Sequence, residues 1–118
     1  MKQIKFSLAI IVLFIYSGKL SSQIIPEWTA NYASNYPVSI NQNDMVTDKN
    51  GNVYITGYTT DTIYNCNVVT LKYDAWGQFQ WIQYYDSISY YTKITVDDIG
   101  NAYVSGHSNN GLITIKYS

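Results

Sequence analysis

Beyond residue 22, hydrophobic and polar positions alternate in short stretches without a helical period. The stretches are rich in Val, Ile, Thr, Tyr and Trp, and clusters of Gly, Asn and Asp separate them. Strands joined by tight turns have this pattern, so we expect an all-β fold with no helix after residue 22. The predicted strands lie at about 27–32, 44–48, 52–58 and 67–73, then at about 79–85, 93–97, 101–107 and 112–117.

The two groups of strands are copies of one repeat, at about 27–73 and 79–118. The aligned parts are Asp48–Gly57 with Asp97–Gly106, Thr70–Tyr73 with Thr114–Tyr117, and the pair Trp28 and Tyr32 with Trp81 and Tyr85. A period near 50 residues with four strands is typical of a β-propeller blade, since solenoid repeats of that length are helical or contain one strand. The chain supplies one complete blade from about residue 44 to 85 and three strands of the next, with 27–32 as an unpaired outer strand.

Glycines occur at two kinds of position in each copy, at hairpin tips and within strands. Gly51 and Gly100 are expected at hairpin tips, where glycine adopts a positive φ and the preceding Asp can accept hydrogen bonds from the turn amides. Gly57 and Gly106 interrupt a strand, which predicts a bulge or a close approach of backbone where blades crowd together.

A family resemblance rests on these residues. The string from Asp48 to Tyr58, followed by Thr70–Asp74, Gly77 and Trp81, resembles the SBBP (beta-propeller) repeat family of exported and cell-surface bacterial proteins. In the second copy Ile99 and His107 depart from the pattern and the glycines are kept. The resemblance implies a propeller and says little about function, because one fold hosts unrelated activities.

The N-terminus has the pattern of a secretory signal peptide over residues 1–22. Lys2 and Lys5 precede an apolar run from Phe6 to Tyr16, and Ser21-Ser22 offers a cleavage site. The run is shorter than the roughly 20 residues of a membrane helix. We therefore expect a secreted or cell-surface protein with a propeller repeat region at 23–118.

The charge of the chain limits the classes of partner that we expect, and its cysteine content limits the disulfides that it can form. The chain has eight acidic residues and no Arg, and only four lysines lie beyond residue 22. Nucleic acid is therefore not an expected partner, because phosphate binding needs a basic surface. The single cysteine, Cys66, cannot form an internal disulfide and is interpreted as a packing thiol.

Connections of variable length suggest where a ligand could bind. The connections after Gly57 and Gly106 differ in length between the copies, as do those after Tyr32 and Tyr85, whereas the hairpin turns are equal. Variable connections on one face of a repeat protein often mark its binding face. Candidate ligand-binding residues there are Tyr36, Tyr64, Asn65, Asn67, Tyr90, Tyr91 and His107, with Trp76 on the opposite face. Packing of these tyrosines onto the rim is the competing interpretation.

Motifs for chemistry are missing from the sequence, so no catalytic residue, metal or cofactor is predicted. The series Asp48, Asn50 and Asn52 has calcium-loop spacing, but Ile99 breaks it in the second copy. His107 is the sole histidine, and no motif supplies it with partners for a metal or a catalytic triad. Asp97 and Asp98 are not expected to act as a catalytic carboxylate pair, because adjacent residues of a strand face opposite sides.

Three functions remain open. The first is a secreted, non-enzymatic propeller module for recognition or scaffolding of an unknown protein or glycan, either as a piece of a longer propeller or as a short protein of its own. The second is a two-blade subunit of a homo-oligomeric, glycan-binding propeller, similar to small bacterial lectins in which three chains form a six-bladed ring. The third is a fragment of a propeller enzyme. Each follows from the fact that two blades cannot close a ring, which takes about 4 to 8.

Overall fold

The computed structural model describes residues 24–34, 38–61, 66–86, 90–108 and 110–118. These residues form seven β-strands, where the sequence predicted eight, and no helix, as the sequence predicted. The strands are β1 (Ser39–Thr47), β2 (Val53–Thr60), β3 (Cys66–Tyr73), β4 (Phe79–Tyr85), β5 (Thr92–Val96), β6 (Ala102–Ser108) and β7 (Gly111–Tyr117). Among them there is no helix that could span a membrane. The predicted signal peptide lies outside the described residues.

The strands form two antiparallel sheets. The first sheet has the order β1-β2-β3-β4, and the second has the order β5-β6-β7. The first sheet therefore has the four strands predicted for a repeat unit. The second sheet has three strands in the described residues, as expected for the partial unit.

The predicted strand at 27–32 is wrong, because residues 24–34 are not paired in either sheet. The segment is held by side chains instead. Trp28 Nε1 donates to the Ala75 carbonyl at 3.2 Å, and the Tyr32 ring stacks on Phe79 with centroids 5.6 Å apart. The Trp28 and Tyr32 side chains pack on the first sheet, but the backbone of the segment forms no strand. A strand also needs the free backbone edge of a neighbouring strand to pair with.

Strand β1 begins five residues before its predicted start. It pairs with β2 along its whole length, with a register shift between Gln42 and Asp44 that marks a β-bulge. Gly57 lies opposite this irregularity, and a Cβ there would come 2.0 Å from the Asn41 carbonyl oxygen. The predicted close approach is confirmed, but the crowding backbone belongs to the neighbouring strand of the same sheet and not to another blade.

The hairpin turns have the predicted chemistry. Gly51 has a φ of 81° and Gly100 a φ of 89°. In the first turn, the Asp48 carboxylate accepts hydrogen bonds from the backbone amides of Asn50 and Asn52 at 2.9 and 3.0 Å. Asp97 accepts the equivalent bonds in the second turn.

Both faces of the first sheet carry buried apolar side chains. On one face, Val53, Leu71 and Tyr73 form a buried cluster with Ile55 and Ile82 against it. The other face packs on the second sheet, and the shared cluster consists of Tyr54, Val68, Ile94, Ala102 and Val104. The two sheets are therefore stacked face to face.

Candidate functional site

At the junction between the two sheets, β1 and β2 lie against β5, and the buried cluster also includes residues of β3 and β6. The Tyr54 hydroxyl donates to the Gly100 carbonyl at 3.2 Å. Asp44 Oδ2 accepts from the Ile94 amide at 3.1 Å, and the Thr56 hydroxyl bonds the Thr92 hydroxyl at 3.2 Å. Polar pairs of this kind fix the register of two stacked sheets, because a shift would leave buried groups unpaired.

Each residue of this junction has a counterpart one repeat later. Asp44, Thr56 and Thr70 are cross-strand partners in the first sheet, and Lys93, Ser105 and Thr114 are the equivalent partners in the second. The first three face the second sheet. Because the repeat preserves the alternation of side chains, the second three face away from the first sheet. We call the surface formed by Lys93, Thr95, Tyr103, Ser105, Leu112 and Thr114 the open face.

The junction surface of the first sheet is buried, whereas the equivalent open face of the second sheet is exposed. Thr56, Thr70 and Val68 are fully buried at the junction. Their counterparts Ser105 and Thr114 are exposed, and Leu112, the counterpart of Val68, is 86 % exposed. The open face therefore repeats the contact surface of the junction without a sheet against it.

Two cavities lie on the open face, each of about 290 Å³. The first is lined by Lys93, Thr95, Tyr103, Ser105 and Thr114, among others. The second reaches the end of the sheet with the variable connections and adds Tyr91, His107 and Leu112. Hydroxyl, amine and aromatic groups thus line one continuous concave surface.

Opposite charges meet at the junction. Lys93 Nζ lies 3.7 Å from Asp44 Oδ2. The hydrogen bond from the Ile94 amide, assisted by Lys93, holds the pKa of Asp44 below its usual range. The Lys93 side chain is 78 % exposed, so its charge is also available to the open face.

The two turn carboxylates stabilise their own hairpins. Asp97 accepts from the Asn101 side chain at 2.7 Å and from the Tyr103 hydroxyl at 3.1 Å. The Asn101 bond chiefly lowers the pKa of Asp97. Burial opposes the ionisation of Asp48, yet the hydrogen bonds from Asn52 outweigh it and lower the pKa of that carboxyl too. These carboxylates therefore have a structural role, as the sequence favoured over calcium binding.

The predicted ligand-binding residues are divided among several places. Tyr91 and His107 come together on the second cavity. Tyr90 packs edge to face on Tyr58, with ring centroids 5.5 Å apart, and a hydrogen bond with the Cys66 thiol raises the pKa of Tyr90. Tyr90 therefore packs on the rim of the first sheet and is 49 % exposed. Cys66 itself is buried.

The remaining predicted residues lie apart from the open face. Asn67 lines a separate cavity of about 240 Å³ with Ser34, Val38, Thr59 and Tyr84. Trp76 is 76 % exposed in the turn that Asp74 stabilises, at the opposite end of the first sheet. Tyr36, Tyr64 and Asn65 lie outside the described residues. Within the described part of the chain, no three His, Cys, Asp or Glu side chains form a group that could hold a metal ion.

The sequence reasoning missed Lys93, Tyr103, Ser105 and Thr114 as surface residues of interest. It treated the strands as core and looked for function in the connections. The signal was available in the repeat, because Tyr103 on β6 and Thr114 on β7 occupy the repeat positions of Tyr54 and Thr70. Aligning the copies face by face would have found them.

Searches among curated proteins and among solved structures found no match. Residues 30–65 match the model of the SBBP family, which is described as a beta-propeller repeat. This segment includes β1, β2 and the turn between them. The chain therefore carries an SBBP beta-propeller repeat over residues 30–65, and its two antiparallel sheets are consistent with propeller-like blades.

Proposed function

We propose that the chain is an exported, non-enzymatic propeller module for recognition or scaffolding, and that the open face is its binding surface. One observation carries the proposal. Thr56 and Thr70 are fully buried at the junction, whereas Ser105 and Thr114 are exposed at the equivalent positions. A surface built to pack against a protein sheet thus faces solvent in the second sheet.

The chemistry of the open face supports protein binding. It combines a large exposed apolar side chain, Leu112, with hydroxyl groups and two lysines, Lys93 and Lys116. Apolar patches bordered by polar groups mark interaction sites on soluble proteins. The carboxylates nearest to it act in turn stabilisation, which supports a binding role over a catalytic one.

Export is supported by the sequence of residues 1–22. Expression of the full chain in a bacterial host, followed by mass spectrometry of the culture fluid and of the cell envelope, tests it. We expect a product that begins at Gln23. Recovery only from the cytoplasm, with Met1 or Lys2 at the N-terminus, would contradict the export part of the proposal.

Acylation of lysines by a soluble reagent tests the binding surface. We expect Lys93 to react more slowly than the exposed Lys49 in the purified chain at high concentration or with a bound ligand, because a partner covers the open face. Ser105→Arg places a large charged group on that face and should restore the reactivity of Lys93. The matched control is Asn50→Arg, which puts the same side chain on an exposed turn. If Lys93 reacts equally in the parent and in both variants under every condition, the open face is not a binding surface.

Glycan recognition is a second candidate, favoured by the cavity that Tyr91 and His107 share. Aromatic rings and hydrogen-bonding groups suit stacking on sugars. A glycan array of the parent chain, Tyr91→Ala and His107→Ala would show saturable binding that both variants lose, with Trp76→Ala as the control. An array without binding by the parent chain excludes this candidate.

A further inference from the structure

We infer that the occupant of the open face is a second copy of this chain, which docks through the face of its first sheet that is turned away from its own second sheet. The inference rests on the proposed binding role of the open face and names its partner. We call the partner surface the opposite face; it contains Ile40, Gln42, Met45, Ile55, Leu71 and Tyr73.

The opposite face is the natural complement of the open face. Met45, Ile55 and Leu71 are cross-strand partners on it, and their counterparts are Ile94, Val104 and Ile115 in the second sheet. Those counterparts pack against the first sheet in the shared cluster. Met45 is 54 % exposed, whereas its counterpart Ile94 is 8 % exposed at the junction. The chain thus makes one complete junction, exposes the open face, and exposes the opposite face at Gln42 and Met45.

Charge complementarity favours a second copy as the partner. Within the chain, Asp44 on the first sheet meets Lys93 at the same repeat position on the second sheet. A copy docked on the open face would present its own Asp44 to Lys93. Acid and base would then alternate along the stack, whereas a partner with lysine at that position would place two like charges together.

One hydrogen-bonding pair repeats in the same way. At the internal junction the Tyr54 hydroxyl donates to the Gly100 carbonyl. The counterpart between copies is the Tyr103 hydroxyl with the Gly51 carbonyl, and this pair contains a group that can donate and a group that can accept.

Segment 24–34 leaves room for this docking. It covers the outer part of the opposite face, where Tyr32 lies near Tyr73 on the same cavity. Strand β4 covers the equivalent outer part of the second sheet, where Trp81 packs on Tyr117 with centroids 5.6 Å apart. The segment therefore has the position of a fourth, outer strand. The three strands of a docked second sheet would lie beside it and occupy the inner part, where Met45 is exposed.

The stack has a direction, because the open face of one copy meets the opposite face of the next. Such heterologous contacts generate a ring when the rotation closes and a filament when it does not. Each copy contains one complete junction. It also contributes one face to each of the two junctions with its neighbours.

Sedimentation velocity of the full chain and two variants tests the inference. Ser105→Arg blocks the open face, and Met45→Arg blocks the opposite face; both positions are exposed, so folding should be preserved and circular dichroism checks it. We expect the parent chain to assemble beyond the mass of one chain and each variant to sediment as a single chain. An equimolar mixture should form a species of two chains, because one intact face of each kind remains. Asn50→Arg should assemble like the parent.

The outcomes separate the inference from the proposed function. A parent chain that stays monomeric at every concentration overturns the inference, and the glycan array, followed by Lys93 acylation with any glycan that binds, still tests the proposed function. Assembly that Ser105→Arg abolishes and Met45→Arg leaves intact also overturns it, while the open face remains a binding surface. Assembly that neither variant affects overturns the inference and argues against the open face. If Ser105→Arg does not fold, Thr114→Arg replaces it.

Discussion

The Tyr54 hydroxyl lies 3.2 Å from the Gly100 carbonyl oxygen, and this contact joins the first sheet to the hairpin turn of the second. The same hydroxyl lies 3.2 Å from Asp48 Oδ2 in its own turn. Tyr103 repeats the second contact, at 3.1 Å from Asp97 Oδ2. Tyr54 and Tyr103 therefore each link a strand to the turn that precedes it. Tyr54 also links the first sheet to the second.

Removing the hydroxyl separates these two roles. We expect Tyr54→Phe to lower the free energy of unfolding by about 1–2 kcal/mol, since it leaves a buried junction with an unpaired carbonyl. Tyr103→Phe loses only the bond to its own turn and should cost less. Urea denaturation of both variants measures the difference, and equal losses would contradict the role of Tyr54 at the junction.

The turn carboxylates predict how stability depends on pH. The pKa of Asp48 is below its ordinary value of 3.8. A lowered pKa in the folded state means that its contribution is present above the unfolded pKa and is lost as the pH falls through the folded pKa. Asp48→Asn should therefore lower the free energy of unfolding at pH 7 and reduce its fall between pH 5 and about 2. The exposed Asp98 provides the control Asp98→Asn, and denaturant titrations at each pH should show the parent's profile for it. A steeper acid loss in Asp48→Asn would contradict the assignment.

Gly57 should not tolerate a side chain. A Cβ at this position would meet backbone atoms of Asn41 and Gln42, with the nearest 2.0 Å away. Gly57→Ala is expected to lower the free energy of unfolding by about 1–3 kcal/mol or more, because backbone on the paired strand must move. Thermal unfolding monitored by circular dichroism measures it. Thr95→Ala, on the exposed surface, should change stability by less than about 0.5 kcal/mol. A Gly57→Ala protein as stable as that control would show that β1 is placed incorrectly.

Trp28 should anchor segment 24–34. Its indole donates to the Ala75 carbonyl, and its ring lies so close to Gly77 that a Cβ there would be 2.7 Å away. Trp28→Ala removes the bond and apolar contact, and we expect it to lower the free energy of unfolding by about 1–2 kcal/mol. Hydrogen exchange by mass spectrometry should show faster exchange in 24–34. Trp76→Ala serves as the exposed control, and exchange in 24–34 that is unchanged in both variants would contradict the docking.

The sequence predicted the strands and turns well and the packing of segment 24–34 poorly. Hairpins such as Asp48 to Asn52 are determined by local residues, because glycine conformation and Asx hydrogen bonds act within a few positions. Strand β4 has the predicted bounds for the same reason, between the turn at Gly77 and its end at Tyr85. The repeated spacing of Trp28 and Tyr32 correctly indicated an outer position. Whether the backbone of this segment pairs with a strand depends on which strand edge lies beside it. The arrangement of the sheets decides that, and the residues of the segment do not.

The candidate site was harder to derive from the sequence because exposure depends on stacking. Thr56 and Ser105 are similar residues at one repeat position, yet only the first is buried. No local property distinguishes them. Among the predicted residues, Tyr91, just before β5, and His107, within β6, lie together on the open face of the second sheet. Trp76 lies in a turn at the other end of the first sheet.

The central claim is that the two sheets stack as consecutive copies of one repeat, and nuclear Overhauser contacts across the junction test it most directly. The account predicts cross-peaks between the rings of Trp81 and Tyr117, whose centroids are 5.6 Å apart, and between the Tyr54 ring and side chains of the second sheet. Contacts confined to β1–β4 and to β5–β7, with none between these two groups, would contradict it.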